Sequence, residues 1–111
     1  VKQNELYEIF LDSLKDAFVF ADNDHIIKYM NSAAVKRYKE GEALLGKSIF
    51  RCHNEVSQKM IIDIHEKMKA GLEEELITDN ERHRIYMRAV RDRDGNLLGY
   101  YERFEPPVLL K

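Results

Sequence analysis

Two short apolar runs of strand character, Ala17–Ala21 and Ile26–Met30, are separated only by Asp22, Asn23, Asp24 and His25. Asp and Asn side chains hydrogen-bond to their own backbone a residue or two on, and so reverse a chain tightly. So short a link joins only antiparallel neighbours, because a parallel pair needs a crossover of a dozen or more residues. The same signal recurs late in the chain, where Arg93, Asp94 and Gly95 fall between the strand-like Arg84–Arg91 and Leu97–Phe104. A fifth run, Glu74–Thr78, meets Arg84 through a turn at Asn80–Glu81. Hairpins at both ends with helices between them predict the α+β class, one antiparallel sheet with helices grouped on one side.

Between the hairpins the apolar period lengthens. Asn31–Ser32 is an N-cap signal ahead of a short helix. The clearest helix runs from Glu55 to Ala70, with Gly71 as its C-terminal cap. Its apolar side carries Val56, Met60, Ile61, Ile64 and Met68, and Val56, Met60, Ile64 and Met68 are expected to face the sheet. A further helix precedes the first strand. Leu6, Ile9, Phe10 and Leu14 form its stripe, widened by Tyr7 and Leu11. That stripe either covers the outer face of the sheet or meets a second copy of the chain.

Composition narrows the function. With 111 residues, 44% hydrophobic and 34% charged, the chain makes one soluble domain. A net charge of −2 argues against nucleic-acid binding. No apolar run approaches the roughly 20 residues of a membrane span. The single cysteine excludes an internal disulfide and fits a reducing, cytoplasmic setting. The chain starts at Val1 with no visible signal peptide, as expected of a segment from a longer protein.

The chemistry-bearing residues cluster in two places. Cys52 and His53 precede the long helix, and at least one of their side chains is expected to border the space between helix and sheet. Adjacent side chains point apart, so they do not read as a nucleophile–base pair, and no enzymatic activity is expected. Glu55 suits the positive end of the helix dipole, whereas a protonated His53 does not, so His53 is expected to be neutral at pH 7. His65 reads as a rim residue of its helix, and His25 and His83 as turn residues. No histidine pair has metal-site spacing. The closing strands carry Tyr86, Arg88, Tyr101 and Arg103. An inward arginine suits a carboxylate ligand; the alternative is a set of cross-strand ion pairs on an open face.

Four stretches carry a family resemblance: Asp16–Tyr38, Leu44–His53, the helix from Glu55 to Ala70, and Ala89–Glu105. In that order they resemble the PAS sensory domain, from its strand–turn–strand–Asn–helix opening to its closing hairpin with an Asp-Gly turn. Gly46–His53 is most similar to a variant with a Cys-His-Pro-Pro turn found in prokaryotic regulators, although Asn54 and Glu55 stand where that variant has its prolines. The resemblance implies a five-stranded antiparallel sheet with helices across its concave face, and an N-terminal amphipathic helix over residues 1–15. The sensor domain would span residues 16–105, followed by a tail, 106–111, leading towards an output domain.

It implies a small-molecule sensor in a signal-transduction or transcription-regulatory protein, acting as a homodimer through the N-terminal helix. Cys52, His53, Met60, Ile64, Tyr86, Arg88, Tyr101 and Arg103 are the candidate ligand-binding residues. Two alternatives stay open: a ligand-free module for dimerisation and partner docking, and a haem-based gas or redox sensor with His53 on the iron. Flavin photochemistry lacks its Asn-Cys-Arg-Phe-Leu-Gln motif. No cofactor is required.

Overall fold

The structure, a computed structural model, describes residues 1–108. Its elements are α1 (Gln3–Asp12), β1 (Phe18–Asp22), β2 (Ile27–Met30), α2 (Ser32–Arg37), α3 (Glu55–Lys69), β3 (Glu74–Asp79), β4 (Arg84–Arg91) and β5 (Leu97–Glu105). Two 3-10 turns, Gly41–Leu44 and Ile49–Cys52, lie between α2 and α3. The strands form one sheet in the order β2-β1-β5-β4-β3, every pair antiparallel. The expected strands are present, and no boundary is displaced by more than one residue. Of the expected tail, 109–111 lies outside the described residues.

Both hairpins are built by the same device. Asp22 Oδ1 accepts from the backbone N–H groups of Asp24 and Ile26, at 2.9 and 3.0 Å. Asp92 Oδ1 accepts from those of Asp94 and Asn96, each at 2.9 Å. In each turn one carboxylate closes the loop from inside. Asn31 does comparable work between β2 and α2. Its Oδ1 accepts from Phe18 N and Ala34 N, and its Nδ2 donates to the carbonyls of Leu11 and Asp16. Asn31 is fully buried, and these four bonds remove the cost of hiding its amide.

The alternation of β1, β4 and β5 gives the sheet two distinct faces. Val19, Ala21, Met87, Ala89, Tyr100 and Phe104 turn inward with Glu102, and α2, α3 and the 3-10 turns cover them. Phe18, Phe20, Tyr86, Arg88, Val90, Tyr101 and Arg103 turn outward. At Gly99 the β1–β5 ladder comes too close for any side chain: a Cβ there would meet the Ala21 carbonyl oxygen at 2.2 Å, and φ is +154°.

Helix α3 corrects the expected stripe. Ile61, Ile64, His65 and Met68 are buried, whereas Val56 and Met60 are 69% and 40% exposed. The buried set follows i, i+3, i+4, i+7, with His65 at i+4. Apolar letters alone select Met60 in place of that histidine and extend the stripe into a first turn, capped by Asn54, that reaches solvent. His65 is therefore a core residue rather than a rim residue. Its Nε2 bonds Asn23 Oδ1 at 3.0 Å, and its ring meets that of His25 edge-on at 4.8 Å. His25, in turn, bonds the Tyr100 hydroxyl through Nδ1 at 2.7 Å. These contacts tie the first hairpin turn to α3 and β5.

Helix α1 buries none of its residues, and Leu6, Tyr7, Ile9 and Phe10 are all exposed. Its C-terminal end alone is anchored, through Asp12 Oδ1, which accepts from the Tyr29 hydroxyl at 2.8 Å and from Ser32 N at 3.1 Å. Leu11 reaches over an apolar groove of about 460 Å³ on the outer face, lined by Phe18, Phe20, Tyr29, Val90 and Tyr101. Among the described residues no helix is long and apolar enough to cross a membrane.

Candidate functional site

The loop before α3 is held in place from the helix. Gln58 Nε2 donates to the carbonyls of Phe50 and His53, at 3.2 and 2.9 Å, so the first turn of α3 grips the strap ahead of it. Ser48 and Asn54 cap the two helical segments on either side. Between these fixed points the His53 side chain turns inward, with 16% of its surface accessible, and meets Glu102 on the central strand β5.

Glu102 is fully buried, opposite Val19 on β1 and Met87 on β4. His53 Nε2 approaches Glu102 Oε1 to 3.2 Å, but without the alignment of a hydrogen bond. Both carboxylate oxygens and the imidazole Nε2 are thus buried with no hydrogen-bond partner among the described residues. Such groups are rare in protein interiors, because each forfeits its hydration without replacement. Glu102 also acts on its neighbours. Burial, followed by the field of Glu102 and of Cys52, pushes the Tyr38 hydroxyl well above its ordinary pKa. Burial and then Glu102 also raise the Cys52 thiol. Cys52 is therefore a thiol rather than a thiolate at neutral pH, the form that neither attacks nor ligates readily.

On the other side of His53 lies a cavity of about 120 Å³, walled by Ser57, Met60 and Ile61 from α3 and by Ile77, Thr78 and Ile85 from β3 and β4. Its lining is apolar except for His53 and two hydroxyls. Of the candidate ligand-binding residues, the structure brings His53 and Met60 to this cavity. Cys52 lies on the far side of the loop, beside Tyr38. Ile64 belongs to the core beneath.

Tyr86, Arg88, Tyr101 and Arg103 stand on the opposite face of the sheet, away from this cavity, so of the two arrangements open to the closing strands the arginines take the open-face one. Strand parity is the reason: Met87, Tyr100 and Glu102 take the inward positions beside them. The outward arginines are engaged in cross-strand pairs. Arg103 bonds Glu74 at 2.8 Å and also Glu105, Arg84 bonds Glu105 at 3.0 Å, and Arg88 lies 3.8 Å from Glu74. Glu102 is the residue the sequence reading passed over. Its signal was its parity, two residues from Tyr100 and two from Phe104, both of which point inward.

This arrangement, a short strap and a long helix closed over the concave face of a 2-1-5-4-3 sheet, has a counterpart in sequence comparison. The profile of the PAS domain family matches residues 7–105. The chain belongs to the PAS domain family.

No curated protein matches this PAS domain in sequence. Solved structures share its fold at low identity. The C-terminal domain of a Streptococcus mutans protein superposes with a TM-score of 0.78 at 20% identity, covering 93% of this chain and 84% of that one. A sensory box sensor histidine kinase from Vibrio cholerae gives a TM-score of 0.64 at 18% identity, with 96% and 93% covered. The Aer2 receptor from Vibrio cholerae, described as a dual PAS-heme oxygen sensor, gives 0.57 at 18% identity, with 82% and 93% covered.

A haem does not fit the space beside His53 in this PAS domain. Ligand pockets for drug-sized molecules run to about 300–1,000 Å³, and the cavity here is about 120 Å³. Among the described residues no three His, Cys, Asp or Glu side chains converge as a metal site.

Proposed function

We propose that this PAS domain is the small-molecule-sensing module of a larger prokaryotic signal-transduction or transcription-regulatory protein, and that it works in the cytoplasm by binding rather than by catalysis. One observation carries the reading: a buried carboxylate–imidazole pair without hydrogen bonds stands behind an apolar cavity. A core built only for stability would place a hydrocarbon at Glu102. A ligand that engages this pair favours one position of the strap over another, and β5 and α3 carry the change outward. Cys52 borders the strap and takes part through packing.

The PAS domain acts as a homodimer in this reading, with α1 at the interface and an output domain beyond residue 105. The exposed Leu6, Tyr7, Ile9 and Phe10 support that arrangement. The same stripe, together with the small cavity, is what favours the second reading, a ligand-free module for dimerisation and partner docking.

The test is mass spectrometry of small molecules released from the purified protein, beside Ser57→Trp, which fills the cavity from its rim. A bound molecule present in wild type and lost in the folded variant supports sensing. An empty wild-type protein whose melting temperature no compound raises supports the docking module. Light scattering of wild type and Phe10→Glu tests the dimer, which the variant should dissociate.

A further inference from the structure

We propose that the ligand is a small aliphatic ammonium ion, anchored on Glu102 in the place that His53 now occupies, with its hydrocarbon tail in the adjoining cavity. This rests on the sensing reading above and names the chemistry of its ligand.

The charge of the site selects the class. Glu102 is fully buried on the central strand, and among the described residues His53 is the one basic side chain within 4 Å of it. The closing-strand arginines that would suit a carboxylate are held on the opposite face by Glu74 and Glu105. An anionic ligand would therefore meet a carboxylate in a water-poor space with no fixed cation to offset it. A cation meets a site short of positive charge.

The donor count points the same way. A carboxylate offers about four lone-pair positions, and both oxygens of Glu102 are unfilled. An ammonium presents three N–H donors within a small sphere. His53 in its present position brings at most one donor, and does so out of alignment.

Access is provided by His53 itself. It is the wall shared by the cavity and the carboxylate, touching Glu102 on one side and lining the cavity on the other. Among the described residues its Nε2 has no hydrogen-bond partner, whereas its carbonyl is fixed by Gln58. The ring can swing aside without unseating the strap. The tail then lies among Met60, Ile61, Ile77 and Ile85. A volume of about 120 Å³ equals about four waters at ~30 Å³ each, which limits the tail to a few carbons.

Three probes that share a butyl chain separate the possibilities: n-butylammonium, butan-1-ol and pentanoate, each titrated into the isotopically labelled protein and followed by amide chemical shifts. Butylammonium should shift the amides of Ser57, Thr78 and Glu102 saturably, about 10-fold or more tighter than butan-1-ol, and pentanoate should not compete. Glu102→Gln and Glu102→Met, both checked for folded spectra, should erase the advantage of the ammonium over the alcohol. His53→Ala should keep or tighten ammonium binding, since the ring is a competitor for the same oxygens; a merely structural role for His53 predicts the reverse. Equal binding of ammonium and alcohol in wild type, or preferred binding of pentanoate, overturns the ammonium assignment and leaves the sensing pocket standing. Failure of all three probes overturns both.

Discussion

Replacing Glu102 with methionine should make the ligand-free domain more stable, and removing His53 should make it less stable. The side chains of Glu102 and methionine are similar in volume, so the substitution exchanges two unpartnered carboxylate oxygens for hydrocarbon within the same envelope. Replacing buried ion pairs by apolar residues is often stabilising by 1–4 kcal/mol, and a single misaligned pair places the expected gain near about 2 kcal/mol. For a domain of this size that corresponds to a rise of about 8 °C in melting temperature. His53→Ala leaves the carboxylate buried without its counter-group. Losses of this kind run to 3–5 kcal/mol, and the partial accessibility of His53 sets the expectation at the lower end, about 3 kcal/mol. With methionine at 102, the same His53→Ala change should cost only lost packing, about 1 kcal/mol. Thermal and urea unfolding of the four proteins complete the double-mutant cycle. A fall in stability on Glu102→Met, with none on His53→Ala, would falsify the premise that this carboxylate is an unmet cost in the folded domain.

Three further outcomes are expected. Gly99→Ala should cost more than about 2 kcal/mol or prevent folding, because the new Cβ meets the Ala21 carbonyl oxygen at 2.2 Å; circular dichroism melts will show it, and a melt like that of wild type would mean the ladder can part there. Met60→Asp should cost under about 1 kcal/mol, since its side chain reaches solvent, while Ile61→Asp should unfold the domain in the same assay. Acid should weaken the fold through His25 and His65, both held below the ordinary 6.5, His65 by burial, then His25 and Lys69, and His25 by burial and then Lys69, with Asp22, Asp24 and Glu66 opposing. The unfolded chain then binds more protons, so this stability is present above 6.5 and is lost as pH falls towards the folded values; His65→Gln should flatten melting temperature against pH between 7.5 and 5, and an unchanged slope would exclude His65 as the cause.

Much of the architecture was legible because it is dictated locally. Asp22 and Asp92 each close a turn with their own carboxylate, and Asn31 caps α2 from a position that any N-cap rule finds. The site was less legible, for reasons that differ by residue. His53 was found because its loop position is unusual. The faces of Tyr101 and Arg103 stayed open because alternation specifies two faces but not which is covered; that is decided by α3, which packs on the sheet from a distant part of the chain and is invisible to strand period. Glu102 and His65 were missed because polar side chains were counted as solvent-facing. Each takes a core position through partners distant in sequence, Asn23 for His65 and His53 for Glu102.

The neighbouring placement of β1 and β5 has a mechanical consequence. Phe18 opposes Arg103, and Phe104 N donates to the Ala17 carbonyl at 3.1 Å, so the chain enters the sheet and leaves it across a single rung. The sheet is a loop with one doorway. Segments before residue 17 and after residue 105 depart from the same place, and a slip of β5 along β1 moves them past one another, by about 3.4 Å for each residue of shear. Glu102, opposite Val19, lies one residue inside that doorway from the Phe18–Arg103 rung. A force applied to its carboxylate would therefore act one rung from the point at which both segments leave the sheet.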